Sequence, residues 1–391
     1  MKRYRWIPAM IAAAMLSACA PSLTPDTELT QESDSAQEVE TTIIPNMQIS
    51  DNYYRTLIPY KESASRGLVV SNIFTKYDMK EVETGLMRIS QNHFDTEKYY
   101  FQEGQYLSED TLKYWLARPN QTKDKGPEYQ GLNPSSIDEE TGEEMDPTIK
   151  ATDAPVYLSH IVEQNYLTKT DDNKVKLAGV SIGLALNSVY YYQKEKYGEF
   201  YEQKIPKDKL EAEGKKIAQE VVNRLRARSE LSEVPIVVAL FKQEERNAIV
   251  PGTYIAYNFA DKNKTALGDW EAINEKYVTF PMSSPEDVYR DMNQKFMNFK
   301  QEVDKYFSNF TSVFATGFYQ NKKIQSLDIE IPIQFYGTAE ITGFTQYLTG
   351  LMLNHLPLDL HITVSITSVN GPEVLIIKEP NDDEPFIHIY E

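Results

Sequence analysis

Cys19 is the only cysteine among the 391 residues. One thiol can form no disulfide within the chain, and left free outside a cell it is a liability. Its setting suggests another use. The residues Leu16-Ser17-Ala18-Cys19 close an apolar run from Trp6 to Leu16, which follows the basic residues Lys2, Arg3 and Arg5. A basic start, an apolar middle and small residues at the end make a secretory leader. The run is shorter than the roughly 20 apolar residues that span a bilayer. Its last four residues resemble a bacterial lipobox, in which the Cys thiol receives a diacylglyceryl group from a prolipoprotein transferase. Signal peptidase II then cuts in front of it. The expectation is a signal peptide over residues 1–18, a lipid on Cys19, and a mature chain held on the outer face of the cell membrane. The alternative is a plain secreted chain with a chance Cys; its place right at the cleavage position argues against that.

The other residue patterns that could do chemistry are weaker. Gly179-Val180-Ser181-Ile182-Gly183 matches the Gly-x-Ser-x-Gly nucleophile elbow of serine hydrolases, which needs a strand, a sharp turn at Ser and then a helix. Apolar alternation runs unbroken through Ser181, and the next helical pattern starts at about Asp208, so a mid-strand Ser is expected instead. His160 and Glu163 would share a face if the segment were helical, and could then ligate a metal. A surface His beside a Glu is the commoner arrangement. His93, His355, His361 and His388 form no His-Glu-x-x-His zinc pattern, and His361 and His388 lie in strand-like runs. The loop from Asp138 to Asp146 is dense in carboxylates but lacks the alternate spacing of an EF-hand, so a solvated loop is expected. No phosphate loop or dinucleotide fingerprint occurs. The reading assigns no catalytic residue, no metal site and no cofactor.

The elements that carry these residues follow from composition and periodicity. The 40 Lys and Arg against 58 Asp and Glu give a formal charge of −18, and loss of Lys2, Arg3 and Arg5 with the leader takes it to −21. Such a surface excludes nucleic acid as a partner and is repelled by anionic headgroups, so attachment to the membrane should be covalent. Residues 19–51, with Asp26, Glu28, Glu32, Asp34, Glu38 and Glu40 and no basic or aromatic residue before Asp51, read as the lipidated Cys and an acidic disordered tether. The 26 Tyr are expected to pack on the solvent side of sheets rather than form a glycan- or peptide-binding face.

Beyond the tether the pattern is α+β, in two tandem repeats with mixed or antiparallel sheets. Tyr54–Tyr60 and Gly67–Phe74 read as a hairpin, matched by a second at Ile236–Lys242 and Thr253–Phe259. Tyr99–Phe101 with a helix after Ser108 matches Tyr277–Phe280 with a helix after Ser284 that runs to about Phe310. A strand–helix–strand unit from Val180 through an amphipathic helix at Asp208–Arg228 to Phe241 matches one from Leu327 through Thr338–Asn354 to Thr367. Asp110 lies 177 residues before Asp287, but Leu177 only 150 before Leu327. The Pro-, Gly- and acid-rich stretch 119–150 accounts for the difference as an insertion. The expected divisions are therefore 52–233 and 234–391.

The lipobox, the tether, the stretch Asp51-Asn52-Tyr53-Tyr54-Arg55-Thr56-Leu57-Ile58-Pro59-Tyr60 and the later Arg66-Gly67 together resemble the CamS family of sex-pheromone precursor lipoproteins of Gram-positive Firmicutes. The resemblance implies that a short hydrophobic peptide is cut from the end of the signal sequence, with an intramembrane protease as a further partner. Mapped here, that peptide is Ile11-Ala12-Ala13-Ala14-Met15-Leu16-Ser17. The resemblance brings no catalytic residue. The leading expectation is a non-enzymatic surface lipoprotein. The alternatives are a binding module for peptide or cell-wall glycan, and, more remotely, a hydrolase built on Ser181.

Overall fold

Two β-sheets, each with helices laid on it, account for most of the described residues of this computed structural model, which are 27–31, 40–306, 312–334, 337–380 and 382–390. The first sheet holds β1 (Thr27–Gln31), β2 (Glu40–Ile44), β3 (Arg55–Thr56), β4 (Tyr100–Glu103), β5 (Leu158–Lys169), β6 (Lys174–Asn187), β9 (Ile236–Gln243), β10 (Thr253–Ala260) and β11 (Glu271–Ala272). β7 (Val189–Gln193) and β8 (Phe200–Lys204) form a separate ribbon. The second sheet runs in chain order through β12 (Glu275–Phe280), β13 (Phe314–Gln320), β14 (Lys323–Pro332), β15 (His361–Ser368), β16 (Gly371–Lys378) and β17 (Phe386–Ile389). The helices are α1 (Arg66–Asn72), α2 (Lys76–Ser90), α3 (Glu109–Leu116), α4 (Pro147–Asp153), α5 (Lys207–Arg226), α6 (Asp287–Tyr306) and α7 (Thr338–His355).

The two α+β repeats share one strand order. From β4 the first sheet runs β4-β5-β6-β9-β10-β11, and its successive pairings are antiparallel twice, parallel once and antiparallel twice. The second sheet gives the same series from β12 to β17. α3 and α6 follow the first strand of each series, and α5 and α7 connect the parallel pair, since parallel neighbours need a crossover. The correspondences expected for Tyr99–Leu116 with Tyr277 onward, and for Val180–Phe241 with Leu327–Thr367, fall on these equivalent elements.

Two expectations change. There is no hairpin at 54–60 and 67–74: only Arg55–Thr56 are strand, and Arg66–Asn72 is a helix. The Val69-Val70 pair reads as strand locally, but Val69 and Ile73 bury into the core against the first sheet, and packing overrides propensity. The expected division at residue 234 also moves. β9 pairs in parallel with β6 and β10 follows it, so residues 236–260 complete the first sheet, and the second begins at Glu275.

Layering explains the residue patterns. The first sheet is covered on both faces. α3 and α5 pack Leu112, Trp115, Leu210, Val221 and Leu225 on one side. α2 packs Val82, Leu86 and Ile89 on the other. β6 and β9 therefore read as near-continuous apolar runs. The second sheet is covered by α6 and α7 on one face, so Leu327, Ile329 and Ile331 alternate with exposed residues along β14.

Candidate ligand-binding cleft

α2 carries most of what the molecule brings together. Thr75 caps it by accepting from the Asp78 amide at 3.0 Å. Met79, Val82, Leu86 and Ile89, at helical spacing, then turn one face to the first sheet. The side of the helix facing β4 and β5 lines a cleft of about 130 Å³ with Glu83, Thr84 and Met87. Phe101 and Glu103 of β4, Val162, Glu163 and Gln164 of β5, Ser63 and Ser65 ahead of α1, and Arg66 at its start complete it.

The floor is apolar, formed by Met87, Phe101 and Val162, and the rim is charged. Arg66 Nη2 donates to Glu103 Oε1 at 2.5 Å and to the Tyr60 hydroxyl, and the Ser63 amide donates to Glu103 Oε2 at 2.8 Å. Burial pushes the Glu103 carboxyl up, but the bonds from Arg66, Tyr60 and Ser63 outweigh it and hold that group below its usual range. Glu83 is different. It stands at the exposed edge of the cleft, yet loss of water on its cleft side and then the neighbouring Glu103 raise it, and Arg66 only partly offsets them. Its carboxylate makes no hydrogen bond or ion pair among the described residues, while its carbonyl accepts from Gln164 Nε2 at 2.8 Å. A cavity with an apolar floor, a few convergent polar groups and shifted carboxylates is the usual form of a small-ligand site.

Nothing in the sequence marked this cleft as a site: Tyr60 and Arg66 entered only through the family resemblance, and α2 was missed. The signal was there, in Thr75 before Asp78 and the spacing Met79, Val82, Leu86, Ile89.

The other candidates fall elsewhere. Cys19, Leu16, Ser17, Ala18 and the peptide Ile11 to Ser17 lie outside the described residues. Ser181 sits in the middle of β6, paired to Gln164 on one side and Val237 on the other, and is fully buried. Its Oγ lies 2.7 Å from Ser90 Oγ of α2. The two glycines of its motif serve packing. A Cβ on Gly179 would lie 2.3 Å from the Phe94 ring, and one on Gly183 would lie 2.6 Å from the Tyr254 hydroxyl. Small residues at 179, 181 and 183 share one face of the strand and make room for aromatic rings and α2. No water or substrate reaches this Ser, so the hydrolase reading fails on it.

His160 and Glu163 lie on a strand, β5, and not on a helix, so three residues place them on opposite faces. The surface reading fails too, since both are buried. Glu163 accepts from the amides of Gln105, Tyr106 and Leu107 at 3.1, 3.0 and 2.8 Å. Neither ring nitrogen of His160 has a hydrogen-bond partner among the described residues. His361 Nδ1 lies 2.9 Å from Glu379 Oε2, and the His388 ring meets the Tyr390 ring edge-on at 4.6 Å. In the acidic loop, Asp138 accepts from the Glu140 and Thr141 amides, and Glu144 pairs with Lys150. Among the described residues no group of three His, Cys, Asp or Glu could hold a metal ion. Tyr54, Tyr166 and Tyr254 are core residues, while Tyr190, Tyr191 and Tyr192 line the β7–β8 ribbon.

This two-sheet α+β fold matches those of sex pheromone precursor proteins of known structure. The chain matches the CamS sex pheromone cAM373 precursor family over residues 60–384, and it belongs to that family. The crystal structure of a sex pheromone precursor from Lactobacillus salivarius subsp. salivarius is 32% identical, with a TM-score of 0.78 over 88% of this chain and 98% of that one. The C-terminal domain of the sex pheromone staph-cAM373 precursor from Staphylococcus aureus is 33% identical, with a TM-score of 0.70 over 82% of this chain and 98% of that one. No curated protein matches the chain.

Proposed function

We propose that this protein is made as an exported lipoprotein precursor with two products. The leader is cut after Ala18, Cys19 carries a diacylglyceryl anchor, and the hydrophobic peptide Ile11 to Ser17 is released from the leader by a further, intramembrane cut. The two repeats remain on the outer face of the membrane as a binding module without enzymatic activity. The precursor part is supported by the lipobox at Leu16-Ser17-Ala18-Cys19 and by membership of a family described as pheromone precursors. A second acyl chain would make the anchor firm, because each buried methylene contributes about 0.8 kcal/mol. The observation that carries the binding part is the cleft beneath α2, whose apolar floor lies beside the carboxylate of Glu83, unpaired among the described residues.

Metabolic palmitate labelling tests the anchor. Label is expected on the wild-type chain and none on Cys19→Ala; a labelled variant sinks the anchor. Mass spectrometry of spent medium tests the peptide. Ile11 to Ser17 or a trimmed form is expected from cells that make the protein and not from cells that lack it. Its absence while the mature protein is abundant rules the peptide product out.

A further inference from the structure

We propose that the cleft binds a primary ammonium group carrying a branched aliphatic or phenyl-sized substituent, as the amino terminus of a hydrophobic peptide does. This rests on the reading of the cleft as a binding site and gives that site a ligand class.

The charges come first. Three carboxylates touch the cleft: Glu83, Glu103 and Glu163. Glu163 is satisfied by three backbone amides. Glu103 is paired with Arg66. Glu83 makes no ion pair among the described residues and stands at the exposed edge, so its carboxylate is open to a cationic ligand. A cation there would sit beside the Glu83 and Glu103 carboxylates, with the hydroxyls of Ser63 and the buried Ser65, 2.8 Å apart, as further acceptors. An ammonium has three donors and no acceptor, and matches such a set.

The floor decides which cation. A hard metal ion takes about six to eight oxygen ligands, and would leave Met87, Phe101 and Val162 facing an unfilled space. An organic cation covers that surface with its own substituent. The volume of about 130 Å³ is close to the roughly 150 Å³ of a protein cavity known to take benzene, so one branched or aromatic side chain fits. A carboxylate ligand would pair with Arg66 only by displacing Glu103 and would be repelled by Glu83. The peptide of residues 11–17 begins with Ile11, an aliphatic residue bearing a free amine once released, and so has the required form.

The test is calorimetric titration of the full chain, purified from membranes in detergent, with leucinamide, N-acetyl-leucinamide and the synthetic peptide of residues 11–17. Leucinamide and the peptide are expected to bind. Acetylation of the amine should weaken leucinamide about tenfold or more. Glu83→Gln should weaken both ligands by a similar factor with Tm unchanged, because Glu83 stands at the exposed rim and packs in no core. Equal binding of the free and acetylated amides, or an unaffected Glu83→Gln, overturns the ammonium assignment while the cleft stands as a site. Failure of all three probes to bind overturns the assignment and the cleft reading together.

Discussion

His160 is a buried imidazole with no hydrogen-bond partner on either nitrogen among the described residues, and burial lowers it from 6.5 to about 4. The folded protein therefore keeps it neutral, while the unfolded chain takes up a proton below pH 6.5. Its contribution to stability is whole above pH 6.5 and is lost as pH falls towards 4, a difference of about 3 kcal/mol. Asp78 slopes the other way. Burial pushes its carboxyl from 3.8 to about 6, against the amides of Gly252 and Glu244, so its ionisation costs stability as pH rises through that window. A substitution separates the two. In urea unfolding at pH 7 and pH 4, His160→Phe should gain about 3 kcal/mol relative to wild type on going to the lower pH. A constant difference between the two proteins would remove His160 as the acid-sensitive group. At this scale the sequence told part of the story. Unbroken alternation placed Ser181 in mid-strand, where it is. The partners of Gly179 and Gly183 are Phe94 and Tyr254, each more than 70 residues distant, and no local pattern names them. The spacing of His160 and Glu163 suited a helix, and only the surrounding apolar run Ile161-Val162 hinted at a buried strand.

Glu163 shows how one side chain fixes an element. Its carboxylate holds the amides of residues 105 to 107, the turn that leads from β4 into the Ser108 cap of α3. Removing it leaves three donors without that acceptor, at about 1–3 kcal/mol for each one left unpaired. Glu163→Ala is expected to destabilise the protein by several kcal/mol, and hydrogen exchange at 105–107 should quicken more than in the centre of β5. Uniform quickening along β5 would mean that the strand itself, and not the turn, depends on this residue. Helices α5, α6 and α7 were legible, α5 through a full apolar stripe. Leu210, Ile217, Val221, Val222 and Leu225 mark α5, and all are buried. α1 was not legible: seven residues with adjacent valines carry too little periodicity to outweigh their strand propensity. The cleft was not legible as a site: Tyr60 and Arg66 entered only through the family resemblance, and α2 was missed although its apolar stripe was present.

The two repeats meet through Arg88 of α2. Its guanidinium donates to Glu275 Oε1 and Oε2 at 3.1 and 2.9 Å and to Glu81 Oε1 at 2.6 Å, and it lies 4.7 Å from the Phe318 ring centroid. The Tyr277 hydroxyl donates to Glu81 Oε2 at 2.8 Å, so the second sheet grips the helix of the first through two of its strands. Removing Arg88 leaves two little-exposed carboxylates facing each other. Arg88→Met should lower stability by about 3 kcal/mol and split or broaden the calorimetric transition. Glu275→Gln in the same chain should recover part of the loss, because it removes one of the stranded charges. A single sharp transition at the wild-type Tm would show that the repeats are held together by other means. The shared strand order was readable as a repeat, but its start was misplaced, because a hairpin match cannot reveal that β9 returns to pair with β6.

That return sets the order in which the molecule can be assembled. A chain delivered from its amino terminus presents β4, β5 and β6 early. The parallel partner that closes them ends at Gln243, and β10 ends at Ala260, about two thirds of the way along the 391 residues. Until then β6 is an open apolar edge, the kind of surface that invites mispairing. The second series has the same kind of wait but a shorter one: β15 begins at His361, 29 residues after β14 ends at Pro332, whereas β9 begins at Ile236, 49 residues after β6 ends at Asn187. The first repeat, although made first, is therefore exposed as an unfinished sheet for longer than the second. The slow step in maturation, and any demand for a chaperone, should centre on residues 158–260.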